Sequence, residues 1–187
     1  MATTQLFIEL LIIGIGAAVW LAFLLAVILS FPWGSPLPDL NAVYLAALSG
    51  VAYVVGIVVD RLARSAFRFA ENHHRNQVFG KNQDPSVEDR EKYVLVNSSS
   101  LREQIVYNRS RLRICRAWIL NFTLTGGCAG AWAIQQRVWT IAAIALIGLA
   151  LSGLTAYTAN LLARDHYENI QHSYNFLTKN KNGDAVD

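Results

Sequence analysis

Residues 42–75 read AVYLAALSGVAYVVGIVVDRLARSAFRFAENHHR: eighteen uncharged residues, then Asp60 and arginines at 61, 64, 68 and 75. Eighteen helical residues rise about 27 Å, most of the way across a hydrocarbon core of roughly 30 Å. No proline interrupts the polar half, so the helix is predicted to continue to about Val78, before FGKNQDP at 79–85. Spacings of three, four and seven put the four arginines on one side of it. One long helix with an apolar half and an arginine-striped half sets the plan of the chain.

The composition agrees with that plan. The 187 residues are 53% hydrophobic and only 16% charged, with a mean hydropathy of +0.30, which is high for a soluble domain. Besides Ala42 to Val59, three further runs qualify as spans: Gln5 to Ser30, Ala117 to Ile134 and Trp139 to Leu162. The first is read as a permanent helix rather than a signal peptide. Its apolar run is long, its flank MATTQ carries no Lys or Arg, and no clear cleavage site follows.

Charge then orients the chain. Twelve of the 16 Lys and Arg residues fall between Arg61 and Arg116, three follow Leu162, and none occurs in the first link, FPWGSPLPDL. By the positive-inside tendency, the central segment and both termini are expected in the cytoplasm, in a multi-pass protein of the bacterial inner (plasma) membrane. Trp33, Trp132 and Trp139 are expected at the outer interface, and Asp39 as the cap of the second helix. The pI near 9.0 reflects this topology and is not a nucleic-acid signature.

The expected fold is all-α: an integral membrane four-helix bundle with helices 2, 3 and 4 extended into the cytoplasm. Its divisions are 1–62 (first two spans), 63–116 (cytoplasmic stalk and loop), 117–163 (last two spans) and 164–187 (C-terminal helix and tail). Ser100 and Glu103 form an S-x-x-E capping box, predicting a helix from Leu101 into the third span. The last helix is expected to reach about Leu177, leaving KNKNGDAVD disordered. Only about residues 79–99 need be irregular, and VEDREKYVLV within them can add a helical turn or a short strand.

Helices in lipid gain little from excluding water, so small residues must let them approach. Gly14 and Ala18, Gly50, Gly126 and Gly130, and Gly148 and Ser152 mark such tracks in the four spans, with Ala52 and Gly56 beside Gly50. Ala163, Tyr167, Ile170, Tyr174 and Leu177 recur at spacings of four and three, a seam suited to covering the stalk. Cys115 and Cys128 fall on one helix, too far apart along it to pair.

The third helix repeats the basic stripe with Arg102, Arg109, Arg113 and Arg116. Arg61, Arg64, Arg113 and Arg116 are placed to meet anionic headgroups of the bilayer. Arg68, Arg75, Arg102 and Arg109 lie farther out, where screening weakens headgroup attraction. They are assigned to a vestibule or to contact with an acidic cytosolic protein. Phe67, Phe69 and Tyr107 lie among them without any RNA-binding motif, so nucleic acid is not an expected partner.

Glu9, Asn121 and Asn160 are the polar groups expected inside the spans. Glu9 is expected in a salt-bridged ring with Asp60, Arg61, Arg116, Arg164 and Asp165, or, on a sharper reading, as a proton or cation site. Histidines 73, 74, 166 and 172 fall outside the spans, which excludes a bis-histidine haem in the membrane. No P-loop, G-x-S-x-G or H-E-x-x-H motif is present, so neither enzymatic activity nor a cofactor or metal is expected. The leading expectation is a self-associating ion-conducting or membrane-permeabilising pore with an arginine-lined vestibule. The alternative is a membrane-anchored adaptor or sensor whose basic stalk docks an acidic partner.

Overall fold

The computed structural model describes residues 2–30, 42–80 and 86–183. They form five helices, α1 (Ala2–Ile28), α2 (Ala42–Phe79), α3 (Val87–Asn97), α4 (Ser99–Gln136) and α5 (Trp139–Gly183), and no strand among the described residues. The first link with Asp39 and Trp33, the segment 81–85 and the last four residues lie outside them. α2 runs one residue past the predicted Val78. Gly80 then adopts φ 72°, and its N–H bonds to the Asn76 carbonyl at 3.0 Å. That is the left-handed glycine stop common at helix C-termini.

Thr4–Ile28, Leu45–Phe79 and Trp139–Lys179 are each long and apolar enough to cross a membrane, so three of the four expected spans meet that standard. α4 does not: Asn121, Thr123, Thr125, Gly126, Gly127 and Gly130 dilute its apolar residues. α5 reaches Gly183, six residues beyond the expected Leu177, because nothing in SYNFLTKNKN breaks a helix.

The chain divides into two compact units. Unit 1 comprises Met1–Ala66 and Ile114–Tyr157, and unit 2 Phe67–Arg113 and Thr158–Asp187. In unit 1 the helices meet through glycine. A Cβ at Gly14 would run into the backbone of Ala52, and one at Gly56 into the Leu10 carbonyl. A Cβ at Gly126 would lie 3.0 Å from the Ala145 carbonyl oxygen, and one at Gly148 3.2 Å from the Gly126 backbone. A Cβ at Gly130 would make ordinary contact with the Cβ of Ala145 at 3.6 Å, and Ala18 is half-buried while its neighbour Ala17 is fully buried. Gly50 is the exception, because it faces open space and Ala52 and Gly56 make the contact instead.

The register of these contacts gives helix directions. Ile13 and Gly16 of α1 meet Asn121 of α4, Phe23 meets Trp132 and Ser30 meets Gln135, so α1 and α4 run parallel. Thr123 meets Ser152 and Gly130 meets Ala145, so α4 and α5 run antiparallel. Trp132, expected at an interface, is buried in a cluster with Ala129, Ala133, Ile141 and Ala145, against Phe23 of α1. Trp139 is exposed. The α4–α5 turn closes on Arg137, held at φ 55°, with the Val138 N–H reaching back to the Ala133 carbonyl at 3.2 Å.

Unit 2 has a core of another kind. Phe79, Val94, Ile105, Tyr167 and Ile170 form it, with Val78, Val87, Leu95, Leu101, Tyr174 and Leu177 around them. Four of the five seam positions of α5 (Tyr167, Ile170, Tyr174 and Leu177) are thus spent inside the chain's own unit.

Candidate functional site

Asn121, Thr123 and Ser152 of unit 1 serve packing. Asn121 is 1% exposed; its Nδ2 donates to the Ile13 carbonyl at 3.0 Å, and its Oδ1 accepts from Trp20 Nε1 at 3.2 Å. One amide therefore ties α4 to two positions of α1, and Gly16 supplies the room beside it. Ser152 Oγ lies 2.7 Å from Thr123 Oγ1 and 3.3 Å from the Ile119 carbonyl, tying α5 to α4. Glu9 is buried at 6% exposure, and Glu9, Asp60, Arg113 and Arg116 all have interaction partners. Arg164, an expected member of the Glu9 ring, donates to Glu168 at 2.7 Å, one turn along its own helix. Asn160 belongs to unit 2, is exposed and meets His74 Nε2 at 3.1 Å. Among the described residues no group of three or more His, Cys, Asp or Glu is arranged to hold a metal.

The arginines of unit 2 lead to an element that the sequence reading passed over. Residues 87–97, within the stretch expected to be irregular, form α3. Ser86 caps it by accepting from the Asp89 N–H at 3.2 Å, and Glu88 and Asp89 in the first turn oppose the positive end of the helix dipole. At the other end Ser98 closes α3, its N–H bonding the Val94 carbonyl, and caps α4 by accepting from the Leu101 N–H at 3.4 Å. The cap of α4 is therefore Ser98 rather than Ser100, two residues earlier than the capping box suggested. The cue missed was Ser86-x-x-Asp89, the same pattern one helix upstream.

α3 engages three of the four arginines assigned to a vestibule or partner. Arg75 of α2 pairs with Glu88 at 3.1 Å, and Arg109 of α4 pairs with Glu91 at 2.9 Å. Arg102 Nε donates to the Leu95 carbonyl at 2.7 Å, satisfying one of the unbonded carbonyls at the end of α3. Arg68 is exposed, as are Arg61 and Arg64, and makes no ion pair among the described residues.

Arg90 fixes α3 from its other side. It is buried, and its guanidinium lies 5.4 Å from the ring centres of both Phe79 and Tyr174, a double cation–π contact between α2 and α5. Tyr93 packs edge-on against Tyr174 at 5.5 Å, and Val94 is fully buried. Glu91, next to Arg90 in the sequence, is a carboxylate with an unusual setting. It is 8% exposed, and its Oε1 finds no hydrogen-bond donor among the described residues. Burial pushes its carboxyl above the usual glutamate value, Arg109 pulls it back, and Glu88 adds to the rise.

Hydrophobic side chains also stand out on unit 2: Phe69, 85% exposed, with Val96, Tyr107 and Phe176. Tyr107 carries Arg111 over its ring at 5.5 Å. Chemically, unit 2 offers fixed positive charge and aromatic surface, and no assembled nucleophile or general base stands among these residues. The chain matches no protein-family model, and no curated protein or solved structure is similar to it.

Proposed function

We propose that the protein is a membrane-anchored docking module, with unit 1 as a four-span anchor and unit 2 as a basic stalk that binds an acidic cytosolic protein. The observation carrying this reading is that unit 2 has its own buried core while Arg68 and the aromatic Phe69 are left exposed. A plain anchor needs no such unit. Asn121, Thr123 and Ser152 of unit 1, by contrast, are engaged in ties between helices, which suits a solid anchor better than a hydrated path through one chain.

The fourth span in this reading is α4. It runs parallel to α1 over the stretch from Ile13 to Ser30, and most of its side chains between Ala117 and Ala133 are at least half covered. A helix enclosed by protein needs less apolar surface than one facing lipid. The low hydropathy of α4 therefore fits an inner position in the anchor. Four crossings put both ends and the basic unit on one side, and the arginine excess makes that side the cytoplasm.

The test uses the full chain in nanodiscs and polyglutamate as the acidic probe. Binding is expected to weaken with salt, and Arg68→Glu is expected to cost about 1 kcal/mol, roughly fivefold in Kd. No binding at low salt would overturn the docking reading. A second reading, a pore enclosed by several copies, draws on Gly50, Gly127 and Gly153, which face open space on the outside of unit 1. Ion flux in liposomes whose selectivity changes with Arg68→Glu would favour it over docking.

A further inference from the structure

Glu91 is almost wholly covered, whereas the side chain of its partner Arg109 is 57% exposed. Only one of the two can move into water cheaply. We infer that the pair is a proton-operated switch: protonation of Glu91 hands Arg109 to solvent and adds one positive charge to the basic surface, while α3 stays packed.

The surroundings of Glu91 support each half of that statement. α4 supplies Arg109 on Oε2, and farther along it Arg102 on the Leu95 carbonyl. α3 itself supplies Glu88 and Arg90; α2 supplies Arg75, which takes up Glu88; and α5 supplies Tyr174, which faces Arg90. Oε1 is buried without a donor, a costly arrangement for an ionised carboxylate and a much cheaper one for a neutral carboxyl. Burial also raises the proton affinity of Glu91, so it takes up a proton at a higher pH than an exposed glutamate.

The sign of the stability effect follows from the raised value. A carboxyl that binds its proton more tightly when folded adds stability that is fully present below the unfolded glutamate value and is lost as pH rises through the folded one. Acidification through Glu91 therefore does not loosen the core. The Arg90 sandwich between Phe79 and Tyr174, the buried Val94 and the Arg102 bond to Leu95 still hold α3. What is released is Arg109. This deepens the docking reading, since the freed guanidinium adds a contact for an acidic partner, but the switch operates without any partner present.

The experiment follows the full chain in nanodiscs by NMR from about pH 8 to about pH 4, a range that spans ordinary glutamate titration. Glu91 is observed through its carboxyl carbon, Arg109 and the exposed Arg68 through exchange of their guanidinium protons, and α3 through its backbone amides. The expected result is that Glu91 protonates before the exposed glutamates. At the same midpoint the Arg109-to-Arg68 exchange ratio rises about fivefold, the effect of losing one partly exposed ion pair, with the α3 amides still protected. Arg109→Gln is expected to move the Glu91 midpoint up and Glu88→Gln to move it down. Glu91→Gln is expected to give a high, pH-independent ratio, and should that variant misfold, the wild-type titration carries the test alone. A ratio that stays flat, a Glu91 that titrates with the exposed glutamates, or α3 amides that lose protection together with the Arg109 bond would each overturn the switch. Because no acidic ligand is present, a chain that fails to bind polyglutamate yet shows the rise keeps the switch and loses only the docking reading.

Discussion

Unit 1 and unit 2 share α2, α4 and α5, add α1 and α3 respectively, and pack by opposite means. In unit 1 the closest contacts are backbone against backbone, at Gly14 with Ala52 and at Gly56 with Leu10, and a fully buried amide, Asn121, ties α4 to α1. In unit 2 the buried hydrophobic cluster is Phe79, Val94, Ile105, Tyr167 and Ile170, with charge pairs on the same helices. A lipid solvent offers no reward for hiding leucine, so fit and hydrogen bonds between helices decide packing. Water rewards apolar burial at roughly 25 cal/mol per Å². The change from glycine contacts to an aromatic core along one chain is the change that the proposed passage from lipid to water calls for.

That contrast can be broken most forcefully in the water-facing core. Ile170 is 1% exposed, and Ile170→Ala is expected to destabilise unit 2 by about 3–4 kcal/mol. Hydrogen exchange should show the loss in 87–113 and 158–179, with the helices of unit 1 still protected. Equal loss in both units would mean that they are not separate in energy.

The matching change in unit 1 adds bulk instead of removing it. Gly56→Leu drives a side chain into the Leu10 carbonyl and is expected to cost about 3 kcal/mol in a detergent unfolding titration. Gly50→Leu, placed where a Cβ meets nothing, is expected to cost close to nothing. A smaller effect is expected at Asn121→Ala, about 1–2 kcal/mol, because both hydrogen bonds to α1 are lost together. The smallest is a gain. Arg137 sits in a left-handed turn that suits glycine, and Arg137→Gly is expected to stabilise the α4–α5 turn by up to about 1 kcal/mol, seen as a raised midpoint in the same titration.

The two units were unequally legible in the sequence. α1, α2 and α5 could be read because an apolar run of eighteen or more residues is a sum over many positions and survives local exceptions. The glycine positions could be listed but not ranked: Gly50 and Gly56 look alike in sequence, and only helix rotation separates the exposed one from the one in contact. α3 escaped because eleven residues with mixed polarity give a weak period, although Ser86-x-x-Asp89 marked its start. The partners of Arg75, Arg102 and Arg109 were out of reach for a different reason. They lie on an element whose existence had first to be known, so an arginine stripe that called for an acidic partner was in large part answered by the chain's own α3.

The account turns on α4 as a crossing helix, polar because protein rather than lipid surrounds it. Single cysteines at Ser98→Cys and Arg137→Cys, in a chain with Cys115 and Cys128 replaced by alanine, can be labelled with a membrane-impermeant maleimide added to the outside of intact cells. Residues 98 and 137 bracket α4. The account predicts labelling at 137 and protection at 98; label at both positions, or at neither until the membrane is opened, would contradict it.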